Sequence, residues 1–360
     1  MRFSEIVGLD ETKQALIHTV NSNHIAHAQL FLGKEGYGNL ALALAYATFV
    51  NCTNKKENDS CGMCPSCAKM DKLIHPDLHF VYPVSSTKSI SGAQAISTSF
   101  VKNWREFVLE NPYNTLPAWA SFIGAENKQP NISKEESRHI VRNLSLRAFE
   151  AEYKTMLIWL PEYMHPAASN AILKILEEPP AKTLFLLVSN ASDRLLTTIL
   201  SRTQIVKVPA FSSEEIKKTL ISWYNVEEER AGHAAYLANG NLNEALRLSN
   251  EVKNDSADAF KEWMRICFKM DFTTMVNWTD KFQRMGKEPQ KSLLQYALNI
   301  FRESLAWKYG HEDLVRLETA ELDFVKNFSK VLHENNLPEL ISLFNRAHFH
   351  VERNANPKIL

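Results

Sequence analysis

The sequence predicts an α/β domain with a parallel sheet, followed by domains that are helical. Short apolar runs at 28–33 (AQLFLG), 154–160 (KTMLIWL) and 183–189 (TLFLLVS) have the length and composition of buried parallel strands. Segments whose apolar residues recur at helical spacing separate these runs, as in a sheet whose strands are joined by helices. From about Phe211 onward the spacing is helical almost throughout, so helical domains should follow the α/β domain.

The length and charge of the chain limit the classes of function that it can have. A chain of 360 residues is longer than one ordinary core requires, which indicates two or three domains. Its 41 basic and 41 acidic residues give a formal net charge of zero. Proteins that bind nucleic acid mainly through phosphates usually carry a basic excess, so the charge argues against a dedicated DNA-binding module.

The N-terminal residues and the apolar runs predict the compartment. The stretch MRFSEIVGLDETKQAL lacks the basic start and the apolar core of a secretory signal. The longest apolar run, around MLIWLP, is too short to span a bilayer. We therefore expect a cytoplasmic protein whose cysteines are thiols, metal ligands or catalytic groups rather than disulfides.

The first α/β unit contains the frame of a phosphate-binding loop. A helical pattern, DETKQALIHTVNS, precedes the strand AQLFLG, and an alanine- and leucine-rich helix follows it. Between strand and helix the chain reads GKEGYGNL, which contains the G-x-x-x-x-G frame. The glycines of this loop are Gly33, Gly36 and Gly38. A loop between a buried strand and a helix is the context that phosphate binding requires. This context favours a phosphate-binding frame over a chance spacing of two glycines.

The two residues after the frame are not those of a working loop. A working loop continues with lysine, whose ammonium reaches the phosphates, and with serine or threonine, whose hydroxyl ligates Mg²⁺. Asn39 and Leu40 occupy these places. The sequence therefore predicts a degenerate loop that binds no cofactor.

The strand that should carry metal-binding acids lacks them as well. In P-loop ATPases a second apolar strand ends in acids that hold Mg²⁺ and orient the attacking water. The run TMLIWLPEY ends instead in Trp159 and Leu160, with Glu162 beyond a proline. Glu162 as a displaced acid is one interpretation, but its shifted carboxylate would not point at the same metal, which favours a solvated or helix-capping glutamate. With lysine, hydroxyl and acids all absent, we expect no intrinsic ATPase activity.

The strongest chemical signal is a cluster of four cysteines, NCTNKKENDSCGMCPSC. Cys52, Cys61, Cys64 and Cys67 form the spacing C-x8-C-x2-C-x2-C. Two-residue spacings let neighbouring thiolates face one cation, and four sulfurs suit tetrahedral Zn²⁺ with no open position for a catalytic water. We expect a structural zinc site, with an iron–sulfur cluster and unmetallated thiols as alternatives. Cys267 stands alone on an apolar helical face and is interpreted as a small buried hydrophobe.

Other stretches complete the α/β pattern, and one interrupts it. The helix PAASNAILKILEE stops before Pro179, because proline bars the preceding residue from helical geometry, and IVKVP indicates a further strand. The stretch at about 85–130 fits neither pattern. It contains two tryptophans and two prolines that stand out: Trp104, Pro112, Pro117 and Trp119. We interpret it as an insertion and derive no role for it from the sequence.

The loop, the cysteines and several other stretches together resemble one known family. The matching stretches are IVGLDETKQAL, HAQLFLGKEGYG, the four-cysteine insert, HPD at 75–77, PAASNAILKILEEPPAKTLFLLVS and TTILSRTQ. They are similar to the clamp-loader subunits of replicative DNA polymerases, of the AAA+ class, and the run at 170–180 is especially close to the bacterial form. The resemblance covers most of residues 5–208 without the insertion, whereas the C-terminal third is matched only in being helical.

The resemblance implies a domain organisation. It places an AAA+ P-loop-type α/β domain at 1–208, with the zinc module at 52–67 inserted, a helical lid at 209–255, and a helical collar for oligomerisation at 256–360. Within the collar, KSLLQYALNIFRESLAWKY has an apolar stripe wide enough for packing. The stripe consists of Leu293, Leu294, Ala297, Leu298, Phe301 and Leu305. The alternative is that this stripe packs only within its own domain.

The resemblance also implies a role for one arginine. In the family, the ATP-binding motor subunits keep the lysine and the acids, whereas one subunit type has lost them and keeps the fold and a Ser-Arg-Cys motif. This chain resembles that type, although its Ser201-Arg202-Thr203 departs from the motif at the last position. Arg202 would then be an arginine finger, supplied in trans to the ATP site of an adjacent motor subunit. A surface arginine in an ordinary salt bridge is the alternative.

The implied partners are gamma/tau-type ATPase subunits and delta-type subunits in a hetero-oligomer of the DNA polymerase III holoenzyme. The sliding clamp and primed DNA would be reached through the complex, and no membrane is involved. Three other interpretations stay open. They are an active motor with a different nucleotide chemistry, a zinc-containing adaptor outside replication, and a loop that binds nucleotide through backbone amides without hydrolysing it.

Overall fold

The computed structural model of the chain divides into two compact units. It describes residues 1–88, 90–126, 128–145, 147–250, 255–310, 319–333, 336–353 and 355–359. Unit 1 comprises Met1–Trp223 and Asn239–Glu244, and unit 2 comprises Tyr224–Ala238 and Ala245–Leu360. The expected boundary at 255 adjoins residues 251–254, which lie outside the described ranges, so the division into three domains stays a prediction.

Unit 1 is built on a parallel sheet of five strands in the order β2-β3-β4-β1-β5. The strands are β1 (Ala28–Leu32), β2 (Leu78–Val81), β3 (Lys154–Trp159), β4 (Thr183–Ser189) and β5 (Gln204–Lys207). The four strands predicted from apolar runs are present, and β2 was not predicted. β3 and β4 are buried along their whole length, which explains why their sequences are continuously apolar rather than alternating.

Helices precede, join and follow the strands of unit 1. They are α1 (Asp10–Asn21), α2 (Asn39–Val50), α3 (Pro65–Asp71), α4 (Val101–Glu110), α5 (Leu116–Phe122), α6 (Lys134–Ser145), α7 (Pro166–Glu177), α8 (Thr197–Leu200) and α9 (Ser213–Tyr224). Every residue of α2 is buried, so this helix needs no polar face and is rich in alanine and leucine. α7 ends just before the two prolines, as predicted, and buries Ala168, Ile172 and Leu176 against Leu187 of the sheet.

The stretch at 85–130 forms α4 and α5 within unit 1, preceded by two short 3₁₀ turns. Trp104 on α4 and Trp119 on α5 are both fully buried. The stretch therefore belongs to the core of unit 1 and is not a separate lobe.

Unit 2 is helical among its described residues. Its helices are α10 (Glu228–Leu237), α11 (Leu242–Asn250, whose first residues belong to unit 1), α12 (Asp255–Lys269), α13 (Phe272–Arg284), α14 (Lys287–Lys308), α15 (Thr319–Val331) and α16 (Leu337–Glu352). Parts of the expected collar, at 311–318, 334–335, 354 and 360, lie outside the described residues. Across the helices that are described, none has both the length and the apolar character needed to cross a membrane.

The apolar stripe predicted on the collar lies on α14. Leu293, Leu294, Ala297 and Phe301 are buried in the core of unit 2, around Phe260. Packing within the unit therefore accounts for the stripe, and an oligomerisation role for this segment stays a prediction.

Candidate functional site

The glycine loop connects β1 to α2, as the sequence predicted. The Gly33 amide donates to the carbonyl of Ser189, with N and O 3.3 Å apart. Gly36 has a φ of +76°, and a Cβ placed on it would lie 1.8 Å from Oδ1 of Asn241. The carbonyl of Gly36 accepts a hydrogen bond of 3.1 Å from the amide of Leu242. The loop is thus covered closely by the segment that contains Asn241 and Leu242.

The residue that replaces the lysine is turned into the loop. Asn39 is 4% exposed, and its Nδ2 donates to the carbonyl of Gly33 at 2.7 Å. The same nitrogen lies 3.3 Å from Oδ1 of Asn190, directly after β4. Leu40 is also buried, at 5% exposed. An uncharged amide and a buried aliphatic side chain supply neither the ammonium that reaches phosphates nor the hydroxyl that ligates Mg²⁺ in a working loop.

Apolar side chains occupy the end of β3 and the position after it, where an acid pair would be required. Trp159 and Leu160 are 4% and 1% exposed. The ring of Trp159 lies 5.1 Å from the ring of Trp104, between centroids. Trp104 in turn stacks on Tyr82 with centroids 4.1 Å apart and planes 13° apart. The insertion therefore packs on the position of the missing acid, a contact that the sequence did not reveal.

A second tryptophan of the insertion completes this aromatic cluster. The ring of Trp119 lies 5.4 Å from the rings of both Tyr82 and Trp104, with the planes nearly perpendicular. Its Nε1 donates to the carbonyl of Pro83 at 2.8 Å, so the buried indole has its hydrogen bond. We refer to Tyr82, Trp104, Trp119 and Trp159 as the aromatic cluster.

Glu162 is partly buried rather than solvated. Its Oε1 accepts a hydrogen bond of 2.9 Å from the backbone amide of Asn190. Burial raises the pKa of Glu162 above its ordinary value, although the amide of Asn190 opposes this. Asn190 thus links Asn39, after β1, to Glu162, after β3. The only sequence signal at Asn190 is its position directly after a buried strand.

The four predicted cysteine ligands meet at one point. The sulfurs of Cys52, Cys61, Cys64 and Cys67 all lie within 4.8 Å of one another. Cys52 and Cys64 are 4.0 Å apart, and Cys61 and Cys67 are 3.9 Å apart, between Sγ atoms. Tetrahedral bonds of about 2.3 Å place sulfurs about 3.8 Å from one another, so the spacing suits one metal ion.

Local backbone geometry brings these sulfurs together. Gly62, which lies between Cys61 and Cys64, has a φ of +71°, which favours glycine at this turn. Cys64 is the N-cap of α3 and accepts from the amide of Cys67 at 3.4 Å. Its own amide donates to Sγ of Cys61 at 3.2 Å, and the amide of Cys61 donates to Sγ of Cys52 at 3.3 Å. Amides that donate to sulfur stabilise the thiolate form.

Hydrogen bonds lower the pKa of two of the thiols, whereas burial raises the pKa of the other two, Cys52 and Cys67. The backbone amides of Met63 and Cys64 lower the pKa of Cys61. Burial opposes the ionisation of Cys64, but hydrogen bonds with Thr53 and Cys67 lower its pKa to about 6. Because the thiolate is the metal-binding form, the lowered pKa values favour a ligand role for Cys61 and Cys64, and the ligand role of Cys52 and Cys67 rests on the distances between the sulfurs. A set of four thiolates can hold a soft metal ion.

The HPD motif, close to this cluster, connects two segments of the chain by hydrogen bonds. His75 and Asp77 are buried. The carboxylate of Asp77 accepts from the amides of Phe149, Glu150 and Ala151 at 2.6, 2.8 and 2.8 Å. These bonds outweigh burial and lower the pKa of Asp77. The motif thereby fastens the start of β2 to the chain that leads into β3.

Arg202 lies between α8 and β5, as the sequence predicted. Its Nη1 donates to the carbonyl of Thr198 at 2.9 Å, and its Nη2 donates to the carboxylate of Glu177. The side chain is 32% exposed. The hydroxyl of Thr203 donates to the carbonyl of Ile199 at 3.1 Å. The ion pair is the contact expected of a surface arginine, and the finger role stays a prediction.

Comparison with known proteins identifies similar chains. A family model described as DNA polymerase III, delta subunit, matches residues 8–212. The chain is 26% identical over 306 residues to the DNA polymerase III subunit delta' of Bacillus subtilis, which covers 83% of this chain and 77% of that protein. It is 22% identical over 381 residues to the tau subunit of the same organism, covering 99% of this chain and 60% of that one.

Two further matches are shorter or weaker. The delta' subunit of Yersinia pestis is 29% identical over 187 residues, covering 51% of this chain and 42% of that protein. Among solved structures, a gamma subunit-related protein of Thermotoga maritima covers 96% of this chain and 100% of its own, with 15% identity and a TM-score of 0.38.

Proposed function

The chain belongs to the DNA polymerase III delta subunit family, and on this premise we propose that it is a structural clamp-loader subunit that hydrolyses no ATP and donates Arg202 to a neighbouring ATP site. It is a clamp-loader subunit of the delta-prime type, and its α/β domain has the expected AAA+ fold.

The observation that carries the non-hydrolysing role is the bond between Asn39 and Gly33. Phosphoryl transfer requires cations and a metal around the γ-phosphate, and the protein supplies them by position and charge. Here an amide stands in place of the ammonium, and Trp159 is packed where a carboxylate would hold the metal. A sensitive ATPase assay on the isolated chain tests this role. Turnover above a buffer control would count against it.

Arg202 supplies a positive charge for the γ-phosphate at the ATP site of a neighbouring motor subunit. In the transition state negative charge spreads over the γ-phosphate oxygens, and an arginine finger raises the rate by about 10³–10⁵ in GTPases. Arginine suits this role because its planar fork stays charged and binds two oxygens at once. The partly exposed guanidinium of Arg202, next to the short helix α8, is compatible with contact to another subunit.

The finger role is tested in a loader reconstituted from this chain, gamma/tau-type ATPase subunits and a delta-type subunit. Arg202→Ala should leave assembly intact and lower the ATPase rate stimulated by clamp and primed DNA. Arg202→Lys should restore little, since one ammonium does not replace the fork. Arg138→Ala removes another exposed arginine of unit 1 and serves as the matched control. Full stimulated activity in the Arg202→Ala loader would refute the finger.

The cysteine cluster binds one structural Zn²⁺ through Cys52, Cys61, Cys64 and Cys67. The support is the distance between sulfurs, the amide donors and the all-thiolate ligand set, which leaves no open coordination position. The module is tied to the N-terminus, because the carboxylate of Asp59 accepts from the amide of Ser4 at 2.9 Å. Metal binding would supply folding energy to a short segment that has little core of its own.

The partners are gamma/tau-type and delta-type subunits in a cytoplasmic hetero-oligomer, with the sliding clamp and primed DNA reached through the complex. Unit 2 holds this assembly together in the proposal. Mixing the purified chain with the candidate subunits and measuring the mass of the complex tests the partners. Deleting residues 256–360 tests the collar, with retained metal as evidence of a folded unit 1. The family match disfavours an adaptor outside replication and an independent motor.

A further inference from the structure

The guanidinium of Arg202 is held by one acidic side chain, Glu177. Nη2 of Arg202 donates to Oε1 of Glu177, and Nη1 donates to the carbonyl of Thr198 at 2.9 Å. Nη1 also lies 3.2 Å from the hydroxyl of Ser201. A long arginine side chain at the surface otherwise samples many rotamers. These contacts fix a side chain that exposure alone would leave mobile.

Both ends of this ion pair are attached to the same core. Glu177 is the last residue of α7 and follows Leu176, which is 1% exposed. Arg202 follows α8, whose Ile199 is also 1% exposed, and the Arg202 amide donates to the carbonyl of Ile199 at 3.1 Å. Leu176 and Ile199 lie in one cluster of buried side chains. The packed core therefore sets the geometry of the pair.

The contacts leave donors on the guanidinium for a second acceptor. An arginine has five N–H donors in a fixed plane, and the contacts to Glu177, Thr198 and Ser201 account for three of them. An oxyanion that approaches the exposed side of Arg202 would meet a fork that is already oriented. Orienting a charged group in advance reduces the entropy lost when it binds.

We propose that Glu177 is a positioning residue for Arg202 and holds its guanidinium ready for the phosphate oxygens of a nucleotide bound to a neighbouring subunit. This inference rests on the proposed finger role. Glu177 touches neither nucleotide nor the reacting atoms, so it acts only through Arg202. Since the Glu177 side chain is 49% exposed, the ion pair is weak and the effect on rate is modest.

The test uses the reconstituted loader with clamp and primed DNA. Glu177→Ala should lower the stimulated kcat about five-fold, with an unchanged KM for ATP, because an ion pair of this exposure changes a rate by a small factor. Glu177→Gln keeps an oxygen for Nη2 and should recover most of the rate. Glu178→Ala is the matched control, since Glu178 is an exposed neighbour for which the described residues contain no ion-pair partner.

A double variant separates this proposal from the finger role. Glu177→Ala with Arg202→Ala should be as slow as Arg202→Ala alone, because Glu177 has nothing left to position. Full activity in the Arg202→Ala loader would refute the finger itself. If Arg202→Ala is slow and Glu177→Ala is not, the positioning role is wrong. A Glu177→Ala effect that persists on the Arg202→Ala background, or a faster Glu177→Ala loader, also overturns it.

Discussion

The side-chain amide of Asn39 donates a 2.7 Å hydrogen bond to the carbonyl oxygen of Gly33, across the loop that would otherwise hold a phosphate. The same amide reaches Asn190, whose backbone donates to Glu162. The replacement of lysine therefore does more than remove a cation. Through Asn190, the side chain of Asn39 connects the loop after β1 to residues that follow β4 and β3.

Restoring the loop residues alone should not restore ATPase activity. Asn39→Lys with Leu40→Thr supplies the ammonium and the hydroxyl, but Trp159 still occupies the end of β3 and packs against Trp104. With no carboxylate there to hold Mg²⁺, phosphate release should stay at the buffer level. An active gamma/tau-type subunit is the positive control. ATP turnover by the double variant that disappears when Gly38 is also changed would instead show that only the loop residues prevent hydrolysis.

Removal of one cysteine ligand should release the metal and destabilise unit 1. We expect one zinc per chain in protein purified without added zinc. Cys61→Ser should contain less than about half of that amount, because it removes one of the four thiolates that bind the ion. The melting temperature of Cys61→Ser should fall by several degrees. Cys267→Ser, outside the cluster, should keep its metal. Iron with visible absorbance, or no metal in the unaltered chain, would argue against zinc.

The sequence predicted those parts of the site that depend on residues close together in the chain. The strand, loop and helix around Gly33 follow from local periodicity, and the convergence of the four cysteines follows from their spacing. The contact of Trp104 with Trp159 joins distant segments and leaves no periodic signal, so no role for the insertion could be derived from the sequence. The pairing of Arg202 with Glu177 was missed for the same reason.

The aromatic cluster should contribute strongly to the stability of unit 1. Trp104 is fully buried and contacts Tyr82, Trp119 and Trp159, so Trp104→Ala would leave a large cavity. We expect a loss of about 3–5 kcal/mol in the free energy of unfolding, measured with guanidinium chloride. Leu109→Ala, on the same helix at 54% exposed, should change it by less than about 0.5 kcal/mol. Similar losses in the two variants would mean that the insertion is only loosely packed on the sheet.

Glu162→Gln should stabilise unit 1 at neutral pH, and the gain should fade in acid. Burial raises the pKa of Glu162 above its ordinary value of 4.5, although the amide of Asn190 opposes this. The folded chain therefore holds the proton more tightly than the unfolded chain. Stability linked to Glu162 falls as pH rises from 4.5 through the higher folded pKa, because a buried charge then forms.

A neutral glutamine avoids this cost and keeps an oxygen for the amide of Asn190, which donates to Glu162 at 2.9 Å. Guanidinium chloride unfolding should therefore give Glu162→Gln a higher free energy of unfolding than the unaltered chain at neutral pH. The difference should shrink as the pH falls towards 4.5, because the raised pKa of Glu162 favours its protonated form in the folded chain. Glu178→Gln, at an exposed position, is the control. A Glu162→Gln variant that is less stable at neutral pH, or a difference that widens in acid, would show that the ionised carboxylate supports the fold.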